Sequence, residues 1–279
     1  AVSVILNVDA DHLDYFGNLD NVIASFHQFA IQTHGTLIVN HDDTNAPRAV
    51  EFLSHADIVW YGTSPSCEWY AANITIHDGA YGCYDLYHHG EKVAHISLGV
   101  PGEHNVLNSV AAAAAAYLCG ASVDDIVNGL RDFHGAGRRF EFVGKVNGVT
   151  IADDYAHHPT EIIATLTAAK ALPYKRVWAV FQPFTYSRTA RHLVEFAEAL
   201  SLADRVIVSD IMGSREQNEW GVSSSQITER ITGAQYLATF EEISQFVANN
   251  AEDGDLVLTM GGGDVYKCAR MIKALLENR

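Results

Sequence analysis

A dense group of ionisable side chains follows one predicted strand in the second half of the chain. The strand covers residues 149–153, and Asp154, His157 and a second histidine come directly after it. Asp153 and Asp154 could hold a metal ion or ribose hydroxyls, and His157 could ligate a metal or donate to an anion. Pro159 suits a helix start, so the alternative is a capped helix with solvated polar residues. The two histidines and a nearby arginine-bearing loop favour a binding site.

A second group follows the first predicted strand, residues 1–8. It consists of Asp9, Asp11, His12 and Asp14. Carboxylates and an imidazole at a strand end suit Mg²⁺, Mn²⁺ or Zn²⁺. The alternative is an Asx-rich loop that caps the next helix, and the spacing does not decide between the two.

Two asparagines, Asn105 and Asn108, lie three residues apart at a predicted helix start, so they share one face of the helix. A carboxamide can pair with the N6/N7 edge of adenine. Simple N-capping is the alternative, and it explains Asn105 better than Asn108.

Three further segments bear on phosphate or metal binding. Gly261–Gly263 could form an anion nest, but Asp264 would repel a phosphate, so a tight turn is favoured. His88 and His89 fall on a predicted hairpin turn and are expected at the surface. The phosphate-loop pattern G-x-x-x-x-G-K-[ST] does not occur in the 279 residues.

The elements that must position these residues alternate between strands and helices, which predicts an α/β fold. A Gly-rich basic segment at 134–139 marks a predicted boundary between a domain at 1–134 and a domain at 135–279. In the first domain, strands are predicted at 1–8, 36–40 and 58–61, and an antiparallel meander at 68–98. Helices are predicted at 21–33, 45–54 and 122–133. A further helix follows Asn105 and runs to Tyr117. In the second domain, strands are predicted at 149–153, 176–181, 205–209, 235–238 and 255–259, and helices at 159–171, 189–201, 223–232, 240–250 and 265–277.

The strands of the second domain are hydrophobic without alternation, as in a parallel sheet covered on both faces. Ligands bind outside the carboxyl ends of such strands. Polar loops follow four of these strands, so we expect them to converge on one edge of the sheet. These loops cover residues 154–158, 182–188, 210–216 and 261–264.

The composition excludes several classes of protein. The formal net charge is −16, and such an acidic surface repels nucleic acid. No apolar run is long enough to span a bilayer, so no membrane partner is expected. The four cysteines form no C-x-x-C pair, which predicts reduced thiols and a cytoplasmic location.

The chain opens within a predicted strand, with no preceding cap, turn or initiator methionine. We therefore expect it to be part of a longer chain. A sheet cut in this way would expose an unpaired edge and an apolar face, which predicts aggregation or a homodimer.

Five runs taken together resemble the Mur ligase family of peptidoglycan precursor synthesis. They are NVDADHLDYF (7–16), GEHNVLNSVAAAAAA (102–116), FHGAGRRFEFVG (133–144), DDYAHHPTEI (153–162) and FQPFTYSRT (181–189). They occur in the family's order and span almost the whole chain. The resemblance implies that 1–134 is the back part of a central ATPase domain, a mixed sheet with an antiparallel meander. It implies that 135–279 is a Rossmann-like domain with a parallel sheet.

The resemblance also implies the chemistry. ATP converts a substrate carboxylate to an acyl phosphate, and the amine of an amino acid attacks it, with Mg²⁺ neutralising phosphate charge. The run at 181–189 is most similar to the branch of the family that joins L-alanine to UDP-N-acetylmuramate.

Roles for seven residues follow from the resemblance. In the first domain, His12 would ligate the second Mg²⁺, and Asn105 and Asn108 would bind adenine, with a structural role favoured for Asn105. In the second domain, Arg139 would contact the ATP phosphates and Asp154 the ribose hydroxyls. His157 and Arg188 would meet the carboxylate of L-alanine or the acyl phosphate.

The chain departs from the family pattern at three points. Phe184 replaces the usual His, Asp9 replaces the more common Glu, and the phosphate loop is missing. Without that loop the γ-phosphate lacks its cradle, so we expect the isolated chain to bind ATP weakly and to be inactive. A non-enzymatic module that binds a nucleotide or a cell-wall precursor is the alternative function. A metal-dependent hydrolase built on the two Asp/His motifs is the third hypothesis, and it predicts tight metal binding without nucleotide.

Overall fold

A computed structural model describes residues 1–77 and 81–279. The predicted meander includes residues 78–80, which lie outside the described residues, as does the side chain of Asp14. Two compact units are formed, Ala1–His134 and Gly135–Arg279. Each unit contains one sheet of six strands among the residues described.

The sheet of the first unit is mixed, and its strands lie in sequence order. Its elements are β1 (Val2–Ile5), α1 (Leu13–Phe16), α2 (Leu19–Ile31), β2 (Thr36–Asn40), α3 (Ala46–Ala49), β3 (Asp57–Gly62), β4 (Trp69–His77), β5 (Tyr81–His88), β6 (Glu91–Pro101), α4 (His104–Leu118) and α5 (Val123–Asp132). The first four strands pair in parallel, and β4, β5 and β6 pair antiparallel. This arrangement confirms the predicted mixed sheet with an antiparallel meander.

The alanine-rich helix α4 packs on this sheet. Val110 and Ala114 are fully buried in one core with Trp69 and Leu86. A buried hydrogen bond of 2.7 Å between Tyr84 Oη and a serine hydroxyl of α4 ties the helix to β5. The start of α4, where the two asparagines lie, is therefore held in a fixed place on the sheet.

Two local predictions for the first unit were wrong. The polar loop after β1 contains the single helical turn α1, which is preceded by His12 in the left-handed region with φ 52°. The helix predicted at 45–54 covers only Ala46–Ala49, because the backbone leaves the helical region at Val50, with φ −116° and ψ 8°.

The second unit is a doubly wound sheet with the strand order β11-β10-β9-β12-β8-β7. Its elements are β7 (Glu141–Val146), β8 (Val149–Asp154), α6 (Pro159–Ala171), β9 (Arg176–Phe181), α7 (Tyr186–Arg191), α8 (Leu193–Leu200), β10 (Arg205–Val208), α9 (Ser225–Thr228), β11 (Gln235–Tyr236), α10 (Phe240–Asn250), β12 (Asp255–Met260) and α11 (Tyr266–Glu277). Strands β8 to β12 are parallel. One buried core contains residues of α6 and α8, and another contains residues of α10 and α11, so both faces are covered as predicted.

Three local predictions for the second unit were wrong. Strand β7 was missed; it pairs antiparallel with β8, and a register shift between Phe142 and Gly144 breaks its alternation. The helix predicted at 189–201 is two helices, because His192 leaves the helical region and its ring packs against His158, 5.1 Å between centroids. The helix predicted at 223–232 is the single turn α9, whose first residue, Ser225, hydrogen-bonds to the hydroxyl of Ser223.

Candidate functional site

The four polar loops of the second unit meet at one edge of the sheet, as predicted. Gly261 N donates to Asp154 O over 3.1 Å, and Gln182 N donates to Met260 O over 2.9 Å. The loop after β9 is tied to the loop after β10 by a 2.9 Å bond from Thr185 N to a methionine carbonyl. We call the loops 154–158, 182–188, 210–216 and 261–264 the loop edge.

Arg138, which the sequence analysis did not single out, is the central cation beneath the loop edge. Its Nε lies 3.0 Å from Asp153 Oδ2, and its Nη1 and Nη2 donate to the carbonyls of Gly263 and Gly261, both over 2.8 Å. The glycine run is thus the favoured tight turn. Two adjacent arginines in a Gly-rich segment were the signal in the sequence for such a cation. A guanidinium has five N–H donors, so a partly buried arginine needs several acceptors around it.

Asp153 is not a free ligand for a metal or a ribose. Its side chain is 2% exposed and accepts from Arg138 and, over 2.5 Å, from the hydroxyl of Thr259. Burial raises its pKa, although the hydrogen bonds from Thr259 and Arg138 oppose this shift. The interpretation of Asp153 as a binding residue was therefore wrong.

Asp154 organises the loop that follows it. Its Oδ1 accepts from Ala156 N and its Oδ2 from Phe140 N, both over 2.7 Å. Burial raises the pKa of Asp154 above its ordinary value, although the two backbone donors oppose this shift. Both oxygens hold backbone in place, and a contact with ribose hydroxyls stays a prediction.

Glu161, also missed from sequence, lies between two of the predicted site residues. Its Oε2 is 3.2 Å from His157 Nδ1, and its Oε1 is 4.0 Å from Arg139 Nη1. The same carboxylate accepts from the backbone N–H of His157 and completes the capping box at the start of α6. Its position three residues after His158 and two after Pro159 was the capping-box signal in the sequence.

His157 and Arg139 differ in exposure. The side chain of His157 is 13% exposed, and its Nδ1 also lies 3.0 Å from the carbonyl of Tyr155. The side chain of Arg139 is 56% exposed, with its guanidinium 5.5 Å from the centre of the Tyr155 ring. An exposed guanidinium beside a fixed imidazole can bind an anion.

The loop after β9 brings Arg188 to the same edge, on the short helix α7. Ser187 anchors that helix, since its N–H and hydroxyl donate to Glu216 over 2.8 and 2.6 Å. A Cβ placed on Gly262 would lie 3.3 Å from His157 Cγ and 3.6 Å from Phe184 Cγ. The residue that replaces the family's His therefore lies, with His157, against the glycine turn.

In the first unit, the exposed His12 pairs with the partly exposed Asp11. The imidazole is 63% exposed, and its Nε2 lies 3.5 Å from Asp11 Oδ2. Asp9 and Asp11 each accept the N–H of the next residue over 2.7 Å. The described residues of this loop form no group of three metal ligands, and the predicted ligand Asp14 lies outside the described side chains. The carboxylates of Asp9 and Asp11 suit a Mg²⁺ ion that takes its other ligands from phosphate and water, and His12 as a metal ligand stays a prediction.

The two asparagines at the start of α4 are hydrogen-bonded to each other. Asn105 Nδ2 donates to the carbonyl of Pro101 over 2.8 Å, and Asn108 Nδ2 donates to Asn105 Oδ1 over 3.1 Å. The N-cap is Glu103, without a side-chain cap bond, so the interpretation of Asn105 as an N-cap was wrong. Asn105 fixes the exposed Asn108 at the helix start.

The surface prediction for the histidine pair was wrong for His88. Its side chain is only 18% exposed, and its ring stacks on Trp69 at 4.0 Å between centroids.

None of the described helices has the length and apolar character needed to cross a membrane.

Two families match consecutive parts of the chain. The Mur ligase middle domain matches residues 1–116, and the glutamate ligase domain of Mur ligases matches residues 138–263. The UDP-N-acetylmuramate–L-alanine ligase of Caldanaerobacter subterraneus is 42% identical over 284 aligned residues, which cover 100% of this chain and 61% of the relative. The protein of the same name from Agathobacter rectalis is 44% identical over 95% of this chain and 59% of the relative.

Solved structures show the same fold. The UDP-N-acetylmuramate-alanine ligase of Thermotoga maritima has a TM-score of 0.79 at 23% identity, over 99% of this chain and 60% of that one. The murein peptide ligase of Psychrobacter arcticus has a TM-score of 0.71 at 26% identity, over 100% and 58%. A Thermotoga maritima MurF ligase solved with ADP has a TM-score of 0.76 at 20% identity, over 100% and 62%.

The mixed sheet of the first unit and the doubly wound sheet of the second are shared with the matched Mur ligase structures. The chain belongs to the Mur ligase family, of which it carries the middle and C-terminal domains. It spans about three fifths of the length of the curated relatives that it matches.

Proposed function

We propose that this chain supplies the middle and C-terminal domains of an ATP-dependent ligase that joins L-alanine to UDP-N-acetylmuramate. The observation that carries the proposal is the 42% identity, over the whole chain, to a relative of that name. Residues 1–134 would be part of the central ATP-binding domain, and residues 135–279 the Rossmann-like ligase domain. The product would enter peptidoglycan precursor synthesis.

The proposed reaction has two balanced steps. A carboxylate oxygen of the UDP-sugar attacks the γ-phosphorus of ATP, and ADP leaves. The amine nitrogen of L-alanine then attacks the acyl carbon, inorganic phosphate leaves, and the nitrogen loses a proton. Mg²⁺, when bound, neutralises charge on the phosphates.

In the second unit, Arg139 would bind the ATP phosphates, because it is an exposed cation next to the loop edge. Arg188 and His157 would receive the carboxylate of L-alanine or the acyl phosphate. The Nδ1 atom of His157 is engaged with Tyr155 and Glu161, which fixes the orientation of its ring. Asp154 would meet the ribose while holding its loop.

In the first unit, Asn108 would bind the adenine edge, and Asn105 would position Asn108 through its 3.1 Å hydrogen bond. The exposed imidazole of His12 would offer one ligand to Mg²⁺. A nearby carboxylate, Asp11, stabilises a bound cation.

We further propose that the protein works in the cytoplasm, where its four cysteines, all free among the described residues, stay reduced.

We also propose that the chain forms a homodimer. Strand β1 is at the edge of the described sheet, and Val2 and Leu6 are 36% and 42% exposed. Light scattering of the purified chain tests this proposal, since a monodisperse monomer would contradict it.

The 279 residues contain no phosphate-loop pattern. We therefore propose that the isolated chain binds MgATP weakly and does not catalyse the ligase reaction. Calorimetric titration with MgATP checks this, and low-micromolar affinity would contradict it. To test the ligase itself, the chain is fused to the part of the Caldanaerobacter relative that it does not match. Phosphate release from ATP is expected only with both UDP-N-acetylmuramate and L-alanine.

The missing phosphate loop favours one alternative, a non-enzymatic module that binds a nucleotide or a cell-wall precursor. That module would bind UDP-N-acetylmuramate or ATP in calorimetry. It would give no phosphate release in the fused protein, even when circular dichroism shows that the fusion is folded.

A further inference from the structure

Three possible metal ligands lie together at the hairpin that joins β5 to β6. They are Glu68, His88 and His89, and we call them the hairpin cluster. Glu68 Oε1 lies 3.7 Å from His88 Nε2 and 3.3 Å from His89 Nε2. One ligand atom from each residue lies within 4.8 Å of the others.

The backbone brings these three side chains together. His88 pairs with Trp69 across the antiparallel strands, which places residue 68 next to the turn. His89 N donates to the carbonyl of Glu68 over 2.9 Å. Consecutive side chains of a strand point to opposite faces, but His89 has φ 49°, and this left-handed residue turns its ring back toward His88. The ring centroids of the two histidines are 4.2 Å apart.

The cluster is fixed on one side and open on the other. The ring of His88 stacks on Trp69 and meets the edge of Tyr117, 5.2 Å between centroids. Glu68 is 30% exposed and His89 is 66% exposed, so an ion has access from solvent.

We propose that the hairpin cluster binds one Zn²⁺ ion through His88 Nε2, His89 Nε2 and Glu68 Oε1, with water as the fourth ligand. Imidazole nitrogen and carboxylate oxygen are zinc ligands, and Zn–ligand bonds of ~2.0–2.1 Å in a tetrahedron give ligand separations of about 3.3 Å. The two separations that involve Glu68, 3.3 and 3.7 Å, are close to this value, and the two histidine nitrogens need to approach from at most 4.8 Å. The ion would fasten the β5–β6 turn to the start of β4.

This site is separate from the proposed ATP residues of the same unit and does not depend on the proposed function. Tyr117, which contacts His88, lies nine residues beyond Asn108 on α4. That spacing corresponds to roughly 13 Å along the helix axis. A failed zinc test would leave the ligase proposal untouched.

The test uses the full chain after treatment with a chelator. Calorimetric titration with Zn²⁺ is expected to show one tight equivalent, and Co²⁺ is expected to give the visible absorption of a tetrahedral site. His89→Gln and Glu68→Gln should each weaken Zn²⁺ binding by at least about 10-fold, the loss seen even when outer partners of metal sites are removed. Zn²⁺ should also raise the melting temperature of the wild type but not of His89→Gln.

The matched control is His95→Gln. His95 is also exposed, 60%, and pairs with a carboxylate, Asp85, over 2.9 Å in the same sheet. This variant should bind Zn²⁺ like the wild type. The proposal is overturned if the wild type takes up no stoichiometric Zn²⁺, or if folded His89→Gln and Glu68→Gln bind it as tightly as His95→Gln.

Discussion

The guanidinium of Arg138 lies 3.0 Å from the carboxylate of Asp153, and the same guanidinium binds two carbonyls of the glycine turn. One cation thus joins β8 to the turn after β12 beneath the loop edge. The neighbouring Arg139 points to solvent instead, with 56% of its side chain exposed. Arg138 therefore has a structural task, whereas Arg139 is exposed where the proposed phosphate contact would form.

Arg138→Met should destabilise the second unit by about 3 kcal/mol, since removing one partner leaves a buried carboxylate unpaired. Hydrogen exchange of amides in β8 and β12 measures this loss. Arg139→Ala is the matched control, and its exposed side chain should change stability by less than about 0.5 kcal/mol. If the amides of β8 and β12 were equally protected from hydrogen exchange in the two variants, the structural role of Arg138 would be contradicted.

Arg139→Ala should weaken ATP binding in the fused ligase. Loss of a hydrogen bond to a charged group costs about 1.5–3 kcal/mol, so the KM for ATP should rise about 10- to 100-fold. Steady-state phosphate release measures it. Arg205→Ala is the control, because that exposed arginine begins β10, at the end opposite the loop edge. An unchanged KM for ATP in Arg139→Ala would refute the assignment.

Arg188→Ala should raise the KM for L-alanine while leaving the KM for ATP near its original value. Arg188→Lys should restore only part of the loss, because a lysine lacks the planar fork that binds a carboxylate. Arg191→Ala, an exposed change on the same helix, should behave like the parent enzyme. A parallel rise of both KM values would place Arg188 at the ATP phosphates instead.

Asp255 should make the second unit sensitive to acid. It accepts from Arg176 over 2.9 and 2.7 Å and from Trp178 Nε1 over 2.9 Å. Burial raises its pKa, but the hydrogen bonds from Arg176, the backbone N–H of Glu252 and Trp178 outweigh burial and leave the pKa below its ordinary value. A depressed carboxylate pKa gives stability that is present above about pH 4, the unfolded pKa, and is lost as the pH falls through the folded pKa.

Asp255→Asn should therefore lower stability near neutral pH by about 3 kcal/mol and flatten the acid limb of the stability curve. Tryptophan fluorescence during urea unfolding at several pH values follows both changes. The control is Asp253→Asn, whose side chain is 79% exposed. An acid limb in Asp255→Asn as steep as in the control would contradict this prediction.

The sequence predicted the elements best where local signals agree. Strand β9 and the helices α6 and α10 begin and end at the predicted residues, helped by Pro159 in the first turn of α6 and the capping box at Thr239 of α10. The convergence of the four loops followed from the parallel sheet alone. These features depend on contacts between residues close in sequence or on the general rule for parallel strands.

The sequence could not reveal features that depend on distant partners. Arg138 is structural because Gly261 and Gly263 lie more than 120 positions away in the chain. His88 is half-buried because Trp69 is its partner across the strands. Strand β7 escaped notice because its irregular register breaks the alternation that marks a strand.

The ligase proposal is tested most directly by following oxygen atoms in the fused enzyme. UDP-N-acetylmuramate is labelled with ¹⁸O in its carboxylate and incubated with ATP, Mg²⁺ and L-alanine, and the released phosphate is analysed by mass spectrometry. An acyl phosphate carries one carboxylate oxygen to phosphorus, so the account predicts one ¹⁸O in the phosphate for each amide formed. Phosphate without ¹⁸O, or phosphate released at the same rate without L-alanine, would contradict it.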